Sequence, residues 1–261
     1  MNVLQALILG ILQGLTEFLP ISSSGHLVIA QNLLGLTEPE LLFDVGVHFA
    51  TMIAVIIYFR RELVKLIAGF LGGKDKAARR TAFGIIWGTL PAVIAGITLK
   101  DFFESLFNSP KTASVMLLAT GAILLSSLAA KSKDKKIWGI RWLDAVLIGC
   151  AQALAILPGI SRSGSTIVAG LYLGLKKEDA AKFSFLLALP AIFGAGLLEA
   201  KELSSLANHQ ILPLIVGILA AGLTGYLAIA IMLKIVSQGK LYAFAPYCII
   251  LGLVVFLFTS F

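Results

Sequence analysis

Two short polar stretches interrupt a very apolar chain, and together they hold most of the residues able to do chemistry. In the first, Gln13 and Glu17 stand four residues apart, so they share one face of a helix. A carboxylate and an amide oxygen at that spacing can both reach a hard divalent cation such as Mg²⁺ or Ca²⁺. Ser22-Ser23-Ser24-Gly25-His26 follows, with three hydroxyls, a flexible turn and an imidazole at the start of the next helix. A serine or histidine there can act as nucleophile, or the histidine as acid or base. Free N–H groups at a helix start suit an anion. The second stretch, Ser161-Arg162-Ser163-Gly164-Ser165-Thr166, sets a guanidinium among hydroxyls. Arginine grips phosphate through two oxygens and stays charged. If the stretches converge, Ser22, Ser24, Ser161, Arg162, Ser163 and Thr166 are candidate phosphate-binding groups, and Gln13 and Glu17 candidate metal ligands. With a divalent ion, that chemistry is phosphoryl transfer or hydrolysis. The plainer alternatives are a polar helix contact for Gln13 and Glu17, capping for the serines, and a structural ion pair between Arg162 and Glu17.

The two stretches look like copies. Gln13 aligns with Gln152, and Ser22–Gly25 with Ser161–Gly164, at a constant offset of 139; only the proline slips by one, from Pro20 to Pro158. Each copy reads apolar helix, proline, serine-glycine turn, apolar helix.

The elements that must position these residues belong to a membrane protein. Hydrophobic residues make up 58% of the 261 and charged residues 13%, with a mean hydropathy of +0.95. A soluble domain carries about 25% charged residues. The net charge of +7 does not imply nucleic acid, because the basic residues sit in loops between apolar spans, where the positive-inside rule places them. Cys150 and Cys248 are isolated and give neither a disulfide framework nor a zinc spacing. The N-terminal apolar run has no basic residue before Arg60 and contains Glu17, so it reads as a retained helix rather than a cleaved signal.

Apolar runs fall at about 3–19, 27–36, 43–59, 82–99, 113–130, 140–157, 166–175, 183–199, 211–233 and 243–261. A helix needs about 20 residues to cross a membrane core. The ten residues of 27–36 reach about 15 Å, half way, and 166–175 has the same shortfall. Each short run follows a polar stretch, which predicts two re-entrant hairpins, 3–36 and 140–175, with the serine-glycine turns as tips lining a cavity. The basic segments 60–80 and 131–141, the latter including Lys131 and Lys133, are expected in the cytoplasm. The near-neutral 100–112 and the segment 37–42, with Glu38 and Glu40, are expected outside. The hairpins then enter from opposite sides. The expected fold is an all-α polytopic membrane protein in one domain, 1–261. Six transmembrane helices and two re-entrant helix-loop-helix hairpins form an inverted-topology repeat over 1–130 and 140–261. Inverted repeats with broken helices are the plan of many transporters, so transport is one reading of the architecture. Asp44 and His48 share a helix face and suit an interfacial or supporting role; His209 lies in a polar loop; Trp87, Trp138 and Trp142 suit a membrane-interface belt or packing.

The motif Gln13-x-x-x-Glu17 with Phe18-Leu19-Pro20-Ile21-Ser22-Ser23-Ser24-Gly25-His26, together with Pro158-Gly159-Ile160-Ser161-Arg162-Ser163-Gly164-Ser165-Thr166, resembles the undecaprenyl-diphosphate phosphatases of the bacitracin-resistance (BacA/UppP) family. The resemblance extends over essentially the whole chain, including Phe43-Asp44 and His48 to Thr51. It implies a plasma-membrane hydrolase that removes one phosphate from the C55 lipid diphosphate and returns the monophosphate carrier to peptidoglycan synthesis, with its site opening to the external side. It implies Glu17 in metal binding and catalysis, and Ser23, His26 and Arg162 in catalysis or phosphate binding. Many members carry Glu where this chain has Gln13, and glycine where it has Ala50. The expected cofactor is Mg²⁺ or Ca²⁺. The expected partners are a polyprenyl diphosphate and membrane lipids, without nucleic acid, and a homodimer is left open. Two rivals remain at this point: a lipid-phosphate transporter or flippase for the same carrier, and the metal-independent lipid phosphatases with Ser-Gly-His and Ser-Arg motifs. The latter need a second histidine soon after the arginine, and none occurs between Arg162 and His209.

Overall fold

The computed structural model describes residues 1–36, 41–107, 109–130, 134–199 and 211–259. Glu38, Glu40, Lys131, Lys133 and His209 lie outside the described residues. Those described form twelve α-helices, with one 3-10 turn at Leu241–Phe244. The first hairpin is α1 (Val3–Phe18) and α2 (Ser23–Leu33). Then come α3 (Leu41–Tyr58), α4 (Arg60–Phe70), α5 (Lys76–Thr98), α6 (Lys100–Phe107) and α7 (Pro110–Ser126). The second hairpin is α8 (Trp142–Leu154) and α9 (Arg162–Tyr172), followed by α10 (Lys177–Glu199), α11 (Ile211–Ser237) and α12 (Ala245–Phe258). Sequence punctuation sets several starts. Asn2 and Gln5 form a reciprocal capping box on α1, Asp75 caps two N–H groups of α5, and Ser109 with Pro110 opens α7.

Among the described residues, four helices are long and apolar enough to cross a membrane: α5, α10, α11 and the run Leu241–Phe258. A fifth span is available if α3 and α4 count together, although they bend by 83°. Large apolar side chains point outward along these helices, including Leu219 and Leu223 on α11 and Ile94 and Ile97 on α5. In water that would be costly; in lipid it is the solvated face. Inside, Phe18, Phe59, Phe183 and Phe185 are fully buried.

Two segments read as loops are helical. Within 60–80, α4 and the first turns of α5 are formed, because Leu63 and Leu66 give α4 an apolar side while Arg60, Arg61 and Lys65 face out. Within 100–112, Lys100–Phe107 is α6.

Both hairpins end beside where they begin. In the first, Gln5 Nε2 near the start of α1 donates to Leu34 O just past α2, at 3.2 Å. In the second, Lys135 pairs with Leu175 in an isolated β-bridge, and its ammonium reaches Leu173 O at 3.4 Å. Gln31 near the end of α2 bonds Asp44 near the start of α3. By contrast, the segment before α8 touches the start of α5, where Thr81 bonds Ile137 and Gly139. Since α4 and α5 follow the far end of α3, the hairpins open at opposite ends of the bundle.

Small residues let each hairpin press against a helix of the other half. Gly10 on α1 meets the backbone of Gly217 on α11; at the same 139-residue offset, Gly149 on α8 meets the backbone of Gly88 on α5. A Cβ on Gly149 would lie 2.0 Å from Gly88 O, so the approach requires glycine. Such small-residue crossings suit helices packed in lipid.

Candidate active site

The two tips meet. A Cβ on Gly25 would stand 2.9 Å from Gly159 Cα. Ser163 Oγ donates across to Leu19 O at 3.0 Å. The tips repeat each other in detail. Ser22 Oγ accepts from Gly25 N at 3.3 Å, and Ser161 Oγ from Gly164 N at 3.0 Å. Each capping serine also contacts the next serine but one, Ser24 or Ser163. The turns differ where the proline slips: the first takes its positive φ at Ser22 (69°), the second at Gly159 (99°). Gly159 has no room for a side chain, since a Cβ would sit 2.3 Å from Ala113 O. Ser22 has a Cβ and pays strain in that region, a feature that concentrates at functional sites.

At the junction the Glu17 carboxylate is the hub. Its Oε1 accepts from Arg162 Nη2 at 2.5 Å, and its Oε2 accepts from Ser23 Oγ at 2.6 Å and from Gln13 Nε2 at 3.0 Å. His48 Nε2 lies 3.7 Å from the same Oε2. Glu17 is buried, whereas Ser23, Arg162 and His48 keep partial exposure. Arg162 also reaches Ser184 O through Nη1 at a long 3.4 Å. Ser184 Oγ shares a 2.6 Å hydrogen bond with Thr166 Oγ1. Below the second tip, Thr120 Oγ1 donates to Gly159 O and accepts from Ser161 N, which fixes the turn from behind.

His26 takes a different place. Its Nδ1 lies 2.7 Å from Ser22 O; a carbonyl only accepts, so Nδ1 carries the proton. Nε2 then accepts from Tyr247 Oη at 2.7 Å, and the two rings stack at 5.7 Å. Both nitrogens are thus engaged by neighbours, and no hydrogen bond joins the ring to Glu17. His48 Nδ1 likewise donates to Asp44 O, which turns Nε2 toward Glu17.

Of the residues singled out from sequence, Gln13, Glu17, Ser23 and Arg162 form one connected centre. Ser22, Ser24, Ser161 and Ser163 build the facing turns, and Thr166 braces Ser184 beside Arg162. His48, read as interfacial or supporting, stands beside the carboxylate. Tyr247, Ser184 and Thr120 were not foreseen. Each lies in an apolar run or ordinary helix with no motif around it, and only tertiary packing brings it in.

Among the described residues no three His, Cys, Asp or Glu side chains gather as a metal cage. The oxygen donors are nonetheless suited to a hard cation shared with a ligand. Gln13 Oε1 is buried without a hydrogen-bond partner, next to a carboxylate. Mg²⁺ is commonly held by one or two carboxylates together with substrate phosphates.

Fold and site define an all-helical, multi-pass membrane protein with a charge-paired centre assembled from two facing hairpin tips. The family described as Bacitracin resistance protein BacA matches residues 6–254, and this chain belongs to it. Among its relatives, the undecaprenyl-diphosphatase of Carboxydothermus hydrogenoformans is 47% identical over 98% of this chain and 97% of its own length. That of Halothermothrix orenii is 45% identical over 100% and 99%. That of Methanobrevibacter smithii is 40% identical over 98% of both.

Proposed function

We propose that this chain is an undecaprenyl-diphosphatase, hydrolysing the lipid diphosphate to the monophosphate and inorganic phosphate. One observation carries the reading: the Ser23 hydroxyl and the Arg162 guanidinium, from opposite tips, share the Glu17 carboxylate. A nucleophile, a base and a phosphate-binding cation are thereby within one small centre.

In the proposed reaction Ser23 Oγ attacks the terminal phosphorus and passes its proton to Glu17. The bond to the bridging oxygen breaks, and the prenyl monophosphate leaves with the electron pair. Water then releases phosphate from Ser23. Arg162 has five N–H donors, and only two contacts hold it here. The others are available to phosphoryl oxygens, where they offset charge as it grows. His48 supports the carboxylate's ionised form. Geometry favours Ser23 over His26 as the nucleophile, because the His26 nitrogens are committed to Ser22 and Tyr247. Glu17 and Gln13 Oε1 would hold Mg²⁺ or Ca²⁺, which would draw charge from the phosphate oxygens. Ser22, Ser24, Ser161, Ser163 and Thr166 are proposed to shape and orient the phosphate pocket.

Two inverted halves, 1–130 and 140–261, with six spans in the plasma membrane, are part of this reading. The opposite openings of the hairpins and the 139-residue offset support it. With the segments 60–80 and 131–141 in the cytoplasm, the first hairpin opens outward and offers the substrate an external approach. The printed names of the relatives point to hydrolysis rather than transport. The test is phosphate release from C55 diphosphate by purified protein in detergent, where sidedness is lost. Release with saturation kinetics is expected. Binding without release would leave a carrier, not an enzyme.

A further inference from the structure

Away from the tips, the structure has a groove of about 1300 Å³ between the first turns of α5 and the segment leading into α8. Lys76, Arg79, Arg80 and Arg141 line it, with Trp87 and Trp142. No acidic side chain does. Arg141 is already paired with Asp144, through Nε and Nη2 at 3.1 Å each, yet keeps further N–H donors. No ion pair is described for Lys76, Arg79 or Arg80; Asp75 nearby is spent on capping α5. Three positive charges therefore face a concave surface without counter-charge.

The apolar part of the groove is equally specific. Trp87 and Trp142 are 46% and 62% exposed, and Phe83 stands beside Arg79, whose guanidinium lies 6.0 Å from its ring. The third tryptophan, Trp138, lines the same groove with Lys65 of α4 over its ring. Indole rings settle at the boundary between headgroups and acyl chains. α4 has a basic and an apolar side, bends by 83° from α3 and packs on α5 through Gly69, the geometry of a helix lying in the membrane surface. Cations at headgroup level above aromatic rings at chain level match one ligand chemistry: a phosphate ester carried on acyl chains. Basic pockets between membrane helices recognise such headgroups.

We infer that this groove is a binding site for an anionic membrane glycerophospholipid, its phosphate held by Lys76, Arg79 and Arg80 and its chains lying over Phe83, Trp87 and Trp142. The site is separate from the hairpin tips and does not depend on the hydrolytic reading. It would anchor the face where both basic segments meet.

The chain's three tryptophans all line this groove, so intrinsic fluorescence reads its occupancy directly. Wild-type protein is reconstituted in phosphatidylcholine vesicles with increasing fractions of brominated phosphatidylglycerol or brominated phosphatidylcholine. Quenching by the anionic lipid is expected at mole fractions lower by about five-fold or more, the factor that one basic residue supplies beside an anionic surface. The triple variant Lys76→Gln, Arg79→Gln, Arg80→Gln is expected to lose that preference while releasing phosphate at the wild-type rate in detergent. Equal quenching of the wild type by both lipids would overturn the proposal, and needs no variant. Preference kept by the triple variant would also overturn it. Displacement of the brominated lipid by soluble glycerol phosphate at comparable concentration would show a free-phosphate site and sink the lipid assignment.

Discussion

Glu17 and Arg162 are 145 residues apart and meet at 2.5 Å, each near the tip of its own hairpin. Neither charge is well placed alone. A lone carboxylate buried in apolar surroundings costs several kcal/mol, and so does a lone guanidinium. The pair therefore supports the docking of the tips as well as any chemistry there. Ser23 and Gln13 complete the carboxylate's hydrogen bonding, so that its ionised form is held from three directions.

Ser23→Ala is expected to reduce phosphate release by about 10³ or more, the scale of removing a nucleophile. Tyr247→Phe leaves the His26 ring stacked but deletes one hydrogen bond, and a loss within about ten-fold is expected. Single-turnover phosphate release by both variants at matched protein levels separates the assignments. A severe loss in Tyr247→Phe with mild loss in Ser23→Ala would transfer the nucleophile's role to His26.

The orphaned Gln13 Oε1 makes a prediction about metal. Gln13→Glu adds a carboxylate beside Glu17 and removes the Nε2 donor. The Mg²⁺ concentration for half-maximal activity is expected to fall by about ten-fold, because hard cations follow the number of charged oxygen ligands. EDTA is expected to abolish wild-type turnover and Mg²⁺ to restore it. Turnover indifferent to EDTA in both proteins would remove the ion from the mechanism.

Much of this centre was legible in the sequence, because membrane chains make polar residues conspicuous. Gln13, Glu17, Ser23 and Arg162 stood out against hydrocarbon, and the 139-residue offset paired the tips before any coordinates. The offset reaches further than the polar motif: it also maps Ala6 and Gly10 onto Ala145 and Gly149, the small residues on which the hairpins pack. What the sequence hid was tertiary. Tyr247 lies 221 residues from His26 and looks like any interfacial tyrosine. The orientation of His26 follows from a strained backbone at Ser22, which no residue type announces. The amphipathic α4 was overlooked because its charges outweighed its apolar side in a reading tuned to spans.

Packing at the second hairpin offers a test independent of catalysis. Gly149→Ala would put a methyl 2.0 Å from Gly88 O, a backbone atom that has no rotamer to adjust. Destabilisation of about 1–3 kcal/mol is expected, typical of overpacking. Cys150→Ala, next to it but exposed, is expected to stay within about 0.5 kcal/mol. Thermal unfolding in detergent, followed by loss of monodispersity, ranks the two. Equal stability would mean that α5 and α8 do not cross as closely as described.

Arg162→Lys asks whether the guanidinium is there for the fold or for the reaction. Lysine keeps the charge and can still pair with Glu17, but it loses the planar fork that meets two oxygens at once. If the arginine only balances Glu17, the variant is expected to keep most of its activity and all of its stability. If it grips phosphate oxygens, losing one charge-assisted contact in a dry site costs about 3–4 kcal/mol, or 10²–10³ in rate. We expect the second outcome with little change in folding, because Ser163 to Leu19 and the Gly25–Gly159 contact also hold the tips together. Phosphate release and thermal unfolding measured on the same preparation distinguish the cases. Near-wild-type turnover would make the ion pair structural, and the phosphate would then need another cation, for which His48, 3.7 Å from Glu17, is the nearest candidate.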